Sequence, residues 1–511
     1  MNDRHTPLSM DGAAFRALGH QLVDQLAEAL DAVQRGPVTR DESPSAVRQA
    51  LNTLAPLPRT GTDPTSLLTN TTRRLFEHSL FNGHPRFFGY ITAAPAPIGI
   101  LGDFIAAAVN ANVGAWMLSP AATEIEAQTV RWIAEFIGYV RTDDAQNRRV
   151  DVPLPDECGG LFVSGGNMAN IMCFLAARAA RAGWNVRERG VAAGRTLRVY
   201  GSAETHTWIQ KAADIAGLGT DAIRWIPTDG DLRMNVEALR RQITADTAAG
   251  DTPFMVVGTA GSVSTGAVDP LREIKDVCSE HGLWFHVDGA YGGFAAAVPE
   301  APTDLRELSG ADSVAVDPHK WLYAPLEAGC ALVRDPEALR AAFAYHPPYF
   351  HFEERATNYV DYGPQNSRGF KALKVWLALQ HAGADGYRRM IAEDIDLSRS
   401  MAAVIRRSSE LELFTQALSI TTFRYVPPEL RAQVGEEGIE QRLDALNREL
   451  LDRLQRGGEV FVSNAVINGR YVLRACIVNF HTTLADVEAA VEIAIRAGRQ
   501  VYADLNARST A

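Results

Sequence analysis

The chain has 511 residues, of which 46% are hydrophobic, so it can bury a large core and is expected to form two or three domains. Its net charge of −11 and its lack of long Lys/Arg runs argue against nucleic acid or an anionic membrane as a partner. No uninterrupted apolar stretch approaches the roughly 18 residues that a membrane span requires.

The cysteines and the first residues bear on the cellular setting. The five cysteines are scattered and have no CxxC spacing, so we predict neither a disulfide framework nor a zinc site, and no bound metal. The N-terminal residues lack the apolar segment and cleavage site of a secretory signal. We therefore expect the protein to work in a reducing cytoplasm.

The first part of the chain predicts helices joined by an extended connector. Apolar residues recur at steps of three and four over residues 11–33, which indicates an amphipathic helix with Asp11 as its N-cap. Residues 37–65 are rich in Pro, Thr and Ser and predict the connector. A short helix over Pro44–Leu54 interrupts it, with Ser43 as the cap.

An aromatic loop follows the N-terminal helices. The stretch His84-Pro-Arg-Phe-Phe-Gly-Tyr90 places aromatic side chains beside Pro and Gly. Such residues either line a pocket or pack as core beneath a loop. Further on, Ser119 is predicted to cap a helix that begins at Pro120.

A small-residue turn is a candidate anion site. The stretch that begins at Gly159 predicts an apolar strand, then a turn at Gly165-Gly166-Asn167, and then a helix to Ala180. Backbone N–H groups at a helix N-terminus attract anions, and glycine lets a phosphate approach closely. A Gly-Gly turn alone is weak evidence, and the final glycine of a dinucleotide fingerprint is absent.

Later strands end in residues of opposite charge. The apolar stretch from Leu283 terminates in Asp288, and the strand Ser313–Val316 ends at Asp317-Pro318, where proline stops ladder pairing. His319 and Lys320 follow at once. Strands alternate with helices from about residue 160 to 335, which predicts βαβ units and a mainly parallel sheet. Such sheets bind ligands outside the carboxyl ends of their strands.

An aspartate and a lysine at two strand exits can reach opposite ends of one flat cofactor. Pyridoxal 5'-phosphate needs this arrangement, with a lysine on its aldehyde and a carboxylate on its ring nitrogen. The two stretches, with Pro318-His-Lys-Trp321, resemble the group II pyridoxal-phosphate decarboxylases, the family of aromatic amino acid and glutamate decarboxylases. The resemblance runs from about Phe15 to the last helix. It implies an α/β fold of fold-type I, with a mainly parallel seven-stranded sheet flanked by helices.

The resemblance also implies roles for individual residues. Lys320 would bind the cofactor as a Schiff base, Asp288 would keep the ring nitrogen protonated, and His206 would stack on the ring. By the residues alone, a histidine at a helix start more often caps or packs. The other candidate cofactor contacts are Gly165, Gly166 and Asn167 at the phosphate turn, with Ser262, Ala290, Ser313 and His319. The family usually has two hydroxyl residues at the positions of Ser262 and Val263, so one expected polar contact near the ring is missing in this chain.

Domain boundaries and a catalytic loop residue follow from the same resemblance. Residues 1–95 would form a helical arm packed on a second subunit of a homodimer, 96–390 the large cofactor domain, and 391–511 a small α+β domain. Tyr349 lies in an irregular, aromatic-rich segment that reads as a functional loop. The family has a loop tyrosine there that returns a proton to the substrate carbon.

The implied reaction converts an L-amino acid to its amine and carbon dioxide through a Schiff base and a quinonoid. We expect an aromatic substrate, with Phe88, Tyr90 and Thr92 as contacts, because no clear Arg or Lys awaits a side-chain carboxylate. Arg474 is only a weak candidate for a site role. Asn82, Asn112 and Gly114 predict a wider or more polar pocket than in aromatic-specific relatives.

Other functions are weighed against this one. An oxygen-consuming aldehyde synthase of the same family is one, although His206 and Tyr349 are retained here. A decarboxylase of a non-aromatic amino acid is another, and an aminotransferase is disfavoured by the Pro-His-Lys-Trp context. A non-catalytic module would be expected to lose Lys320, Asp288 or the phosphate turn.

Overall fold

The computed structural model describes residues 6–140, 158–345 and 356–510. Its centre is a seven-stranded sheet in the order β1-β7-β6-β5-β4-β2-β3. The strands are β1 (Gly159–Val163), β2 (Leu197–Ser202), β3 (Ile223–Ile226), β4 (Thr252–Thr259), β5 (Trp284–Asp288), β6 (Ser313–Val316) and β7 (Gly329–Val333). All pairs are parallel except those that β7 makes with β1 and β6. The predicted α/β class and mainly parallel sheet are confirmed.

Helices cover both faces of this sheet, which is why its central strands are largely apolar. In β6, Val314 and Val316 join one apolar core, and Ala315 between them joins the other. The helices are α1 (Gly12–Val33), α2 (Pro44–Leu51), α3 (Pro64–Glu77), α4 (Pro97–Val109), α5 (Pro120–Phe136), α6 (Gly166–Arg181), α7 (Val186–Arg189), α8 (Trp208–Ile215), α9 (Val236–Ala248), α10 (Leu271–His281), α11 (Pro318–Trp321), α12 (Pro336–Phe343), α13 (Ala372–Arg407), α14 (Glu437–Arg456) and α15 (Leu484–Thr510). Among the described residues, no helix is long and apolar enough to cross a membrane.

A second, antiparallel sheet of four strands lies in the C-terminal part. Its order is β10-β11-β9-β8, built from β8 (Leu411–Ala417), β9 (Ile420–Tyr425), β10 (Ser463–Ile467) and β11 (Arg470–Cys476). Helix α13 connects the two sheets and runs through position 390, where the sequence places a domain boundary. The three-domain division stays a prediction.

Helix starts test the local predictions directly. Asp11 caps α1 by accepting from the backbone N–H groups of Ala13 and Ala14, and Ser43 caps α2 by accepting from Ala46, as predicted. Ser119 precedes α5 but does not cap it. Its hydroxyl donates to the carbonyl oxygen of Asn112 instead, at 2.8 Å. The hydroxyl therefore donates to a carbonyl oxygen seven residues earlier and accepts from no N–H group of α5.

A buried ion pair ties the segment before α5 to the edge of the main sheet. The guanidinium of Arg368 donates to the Glu126 carboxylate and to the carbonyl oxygens of Val113 and Phe162. The Glu126 carboxylate also accepts from the backbone N–H of Phe162. Both side chains are buried, at 3% and 0% exposed. Removing one partner would leave the charge of the other buried without a counter-ion.

We predict that Arg368→Met lowers the free energy of unfolding by about 3–5 kcal/mol, because it leaves the Glu126 charge buried without its cation. Urea denaturation followed by circular dichroism measures this. The matched control is Arg73→Met, which breaks the exposed pair with Glu77 and should change stability by less than about 1 kcal/mol. Equal effects of the two variants would contradict the prediction.

Candidate active site

A cavity of ≈ 660 Å³ lies at the carboxyl ends of the central strands. The ends of β4, β5 and β6, the start of α6 and the turn after β2 form its floor and sides. Residues 90–92 and the sheet strands β10 and β11 contribute the remaining walls. Because parallel strands end at the same edge, residues far apart in sequence meet here.

Lys320 enters this cavity from α11, the short helix that begins at Pro318. Its Nζ lies 3.0 Å from Oδ2 of Asp317, a buried carboxylate three residues earlier. Nε2 of His319 lies 3.7 Å from the same oxygen, and its Nδ1 accepts from the backbone N–H of Ala328. Burial lowers the pKa of His319. Asp317 therefore neutralises the ammonium group and orients it.

Sequence reasoning missed this role of Asp317 and noted the residue only as the end of a strand. An aspartate before Pro looks like a helix cap, so the sequence carries no signal that distinguishes the two roles. Its second oxygen, Oδ1, is buried and has no hydrogen-bond partner among the described residues.

Asp288 lies on the cavity wall at the end of β5. Its Oδ2 accepts from the indole Nε1 of Trp208 at 2.7 Å, and its Oδ1 accepts from the backbone N–H of Ala290 at 3.2 Å. The two donors hold opposite oxygens, so the plane of the carboxylate is defined before any ligand binds. Trp208 was not singled out from the sequence.

His206 also lines the cavity, in the turn between β2 and α8. Its Nδ1 accepts from the backbone N–H of Trp208 at 3.3 Å. Burial lowers the pKa of His206, and the nearby Asp288 carboxylate partly offsets this shift. We therefore expect a neutral imidazole at pH 7, a flat ring suited to packing on another ring.

The turn Gly165-Gly166-Asn167 forms one end of the cavity, where α6 begins. The first backbone N–H groups of a helix have no intrahelical acceptor and favour an anion. A side chain could not fit at Gly166, because a Cβ there would lie 2.6 Å from Oδ2 of Asp317 and 2.9 Å from Cβ of Ala290. Only glycine therefore fits at this position, and glycine has no side chain that could keep a phosphate from the backbone N–H groups.

Three residues predicted as contacts do not line the cavity. The Ser262 hydroxyl is buried in its own turn against Thr265. Ser313 points into the core, where its hydroxyl is shared by Trp284 and His286. Phe88 is fully buried among residues of the C-terminal core. A strand or loop residue faces whichever side its packing favours, which the motif does not reveal, and the roles assigned to these three residues stay predictions.

Tyr90 and Thr92, predicted as substrate contacts, do line the cavity, and so does Arg474 on β11. The Arg474 side chain is almost fully buried, and its Nη1 donates to the Tyr90 carbonyl oxygen and to Oγ of Ser463. Its Nε and Nη2 have no acceptor among the described residues. A buried, partly unsatisfied guanidinium is a strong site for a carboxylate. Tyr349 lies outside the described residues.

These groups match the chemistry of pyridoxal phosphate. An amine, a carboxylate at another strand end, a neutral aromatic ring and a helix N-terminus suit its aldehyde, ring nitrogen, ring face and phosphate in turn. Each is held by contacts within the protein, with Asp317 on Lys320 and Trp208 on Asp288. The residues present therefore fit the cofactor.

Comparisons with known proteins agree with this match. The model of the pyridoxal-dependent decarboxylase conserved domain matches residues 44–426. An aromatic-L-amino-acid decarboxylase of Bacillus atrophaeus is 31% identical, over 94% of this chain and 94% of the relative. A phenylacetaldehyde synthase of a Rosa hybrid cultivar is 27% identical, over 92% and 91%.

A solved structure extends the agreement to the fold. The crystal structure of Oryza sativa TDC with PLP and tryptamine has a TM-score of 0.87 and 27% identity, over 97% of this chain and 99% of that one. With the match to the conserved domain, it supports the fold and the cofactor of this chain. The chain therefore belongs to the pyridoxal-phosphate-dependent amino acid decarboxylases.

Proposed function

We propose that this protein converts an aromatic L-amino acid to its amine and carbon dioxide. The observation that carries the proposal is that Lys320, Asp288 and His206 line one cavity, together with the N-terminus of α6 and with Arg474. The 31% identity to an aromatic-L-amino-acid decarboxylase supports the aromatic class.

Bound pyridoxal phosphate supplies the electron sink that lets a bond at the substrate Cα break. The chain's own residues would prepare the reaction. Lys320 would hold the aldehyde carbon. Asp317 would keep the amine in place and offset its positive charge through their ion pair. Asp288 would accept a hydrogen bond from the ring nitrogen and keep it protonated, and His206 would fix the plane of the ring.

Substrate orientation decides which bond breaks, since the bond perpendicular to the cofactor ring is weakened most. We propose that Arg474 pairs with the substrate α-carboxylate through Nε and Nη2, and that Tyr90 and Thr92 contact the side chain. We propose that Tyr349 protonates the substrate carbon after carbon dioxide leaves.

Lys320→Ala is expected to abolish covalent retention of the cofactor. Borohydride reduction of the native protein should fix pyridoxal phosphate on the peptide that carries Lys320, as measured by mass spectrometry. The variant should give no adduct and should lose its visible absorbance on gel filtration. Lys275→Ala, which breaks an ion pair with Glu307 outside the cavity, should behave as the native protein. An adduct on another lysine would overturn the assignment.

An amino acid with an acidic side chain is the second candidate substrate. The sequence offers no clear basic residue for a side-chain carboxylate, but Arg474 lines the cavity, and two of its nitrogens have no acceptor among the described residues. One guanidinium cannot serve two carboxylates equally well. The role of Arg474 therefore separates the two candidates.

We predict that a panel of amino acids gives carbon dioxide and amine from aromatic members. Arg474→Gln should lower kcat/KM for them about 10- to 100-fold, because it removes a charge-assisted hydrogen bond. Arg470→Gln is the control, since Arg470 lies on the same strand but pairs with Glu440. Measurement is by amine, carbon dioxide, aldehyde and peroxide analysis of each reaction.

Each other outcome selects a different function. Faster turnover of glutamate or aspartate, lost selectively in Arg474→Gln, would replace the aromatic proposal with the acidic one. Aldehyde with peroxide would identify an oxidative enzyme, like the relative named phenylacetaldehyde synthase. A keto acid without carbon dioxide would identify an aminotransferase.

We further propose that the protein works as a homodimer through α4 and the turn after it. Apolar side chains there remain 49–62% exposed in the single chain: Leu101, Phe104, Ile105, Val109, Met117 and Leu118. A contiguous apolar surface of this kind is typical of an interface. Phe15 of α1 stacks on Phe104, which extends the surface to the N-terminal arm.

Phe104→Glu is expected to convert the dimer to a monomer, because it introduces a charge into an apolar interface. Light scattering coupled to size-exclusion chromatography measures the mass. The control is Ile215→Glu, an exposed apolar position at the end of α8 that should leave the dimer intact. A native mass of one chain, or a dimer that survives Phe104→Glu, would refute this interface.

A further inference from the structure

Trp208 bonds to both residues that would hold the cofactor ring. Its indole N–H donates to Oδ2 of Asp288 at 2.7 Å, and its backbone N–H donates to Nδ1 of His206 at 3.3 Å. The side chain is fully buried and does not line the cavity. It therefore acts on the site through these two residues and not by contact with a ligand.

The indole is itself held in one orientation by aromatic edges. Phe174 and His286 both lie edge to face with it, with ring centroids at 6.4 and 5.6 Å. Such pairs restrain a ring as well as stabilise it. Because the indole cannot turn, its N–H has a fixed direction toward the Asp288 carboxylate.

The imidazole of His286, which packs against the indole, is fixed by hydrogen bonds and is uncharged. His286 is bonded at both nitrogens, to Oγ of Ser313 and to Oδ1 of Asn170, and Trp284 donates to the same Ser313 hydroxyl. Burial lowers the pKa of His286 to about 4, so it stays neutral at pH 7. No imidazolium at this position competes with Trp208 or the cofactor for the Asp288 charge.

The two donors to Asp288 leave each of its carboxylate oxygens able to accept one more hydrogen bond. Each carboxylate oxygen has two lone pairs, and Trp208 and the Ala290 backbone take one on each oxygen. Without the indole, the carboxylate would be free to rotate about its last bond, and an orientation that faces the ring nitrogen would be one of several.

We infer that Trp208 is a positioning residue that aims the Asp288 carboxylate at the ring nitrogen of pyridoxal phosphate. The inference rests on the role proposed for Asp288 and is independent of which amino acid is the substrate. It assigns a cofactor-related role to a side chain that would otherwise count as core. Through its backbone, the same residue aligns His206 with that carboxylate.

The test compares Trp208→Phe with Trp284→Phe in the full-length protein. Both variants lose a buried indole N–H in the same core, but Trp284 donates to Ser313 and not to Asp288. Two measurements apply: the affinity of the apoprotein for pyridoxal phosphate, and solid-state ¹⁵N NMR of the holoenzyme loaded with ring-labelled cofactor. The NMR signal reports directly whether the ring nitrogen is protonated.

Trp208→Phe is expected to weaken cofactor binding about 10-fold or more, the usual effect of losing a hydrogen bond to a charged group. Its ¹⁵N signal should move from the pyridinium position toward neutral pyridine. Trp284→Phe should keep the native signal. Identical signals and affinities in the two variants would overturn the inference.

Two further variants keep the outcomes distinct. Asp288→Asn should also shift the ¹⁵N signal, and a native signal there would refute the proposed role of Asp288 itself. A shift in Asp288→Asn without one in Trp208→Phe would refute only the inference about Trp208. If Trp208→Phe fails to fold, benzothienylalanine at position 208 removes the N–H, preserves the ring shape and gives the same two readouts.

Discussion

The parallel pairing of β4, β5 and β6 is the constraint on which the site depends. Their common direction brings Thr259, Asp288 and Asp317 to the same edge of the sheet, although 58 residues separate the first from the last. The register of β4 and β5 pairs Thr259 with Asp288 directly. A shift by one residue would turn these side chains to the other face.

Several charged groups of the cavity are held by short-range contacts. Asp317 lies against Lys320, Asp288 accepts from the indole of Trp208, and Arg474 donates to Oγ of Ser463. A buried charge without such contacts would be unfavourable by several kcal/mol, roughly the effect of an unpaired ion in a protein interior. Among the described residues that line the cavity, Glu204, Thr259, Asp317 and Arg474 each keep buried polar atoms without a hydrogen-bond partner.

The C-terminal part completes the site and braces it. Arg474 reaches the cavity from β11, and α13 carries Asp394, which accepts from the Trp321 indole at 2.9 Å and from the Tyr323 hydroxyl at 2.7 Å. Trp321 immediately follows Lys320, so this contact anchors the short helix that bears the reactive amine. Burial raises the pKa of Asp394 to about 7, which the two donors partly offset.

Local sequence determined much of the framework. The strand over Ser313–Val316, the caps at Asp11 and Ser43, and the positions of Lys320, Asp288 and the Gly165-Gly166 turn at strand and helix ends could all be predicted. Each depends on side-chain periodicity, a proline or a capping group within a few residues. These are short-range effects that a single sequence displays.

Only the tertiary structure decided which polar groups meet. Trp208 and Asp288 are 80 residues apart, and Arg474 reaches the cavity from a different sheet. Ser313 and Phe88 match the motifs but face the core, because the best partner for each lies across the fold. Sequence alone identified the residues that could react, whereas long-range packing and hydrogen bonding decided how they are held.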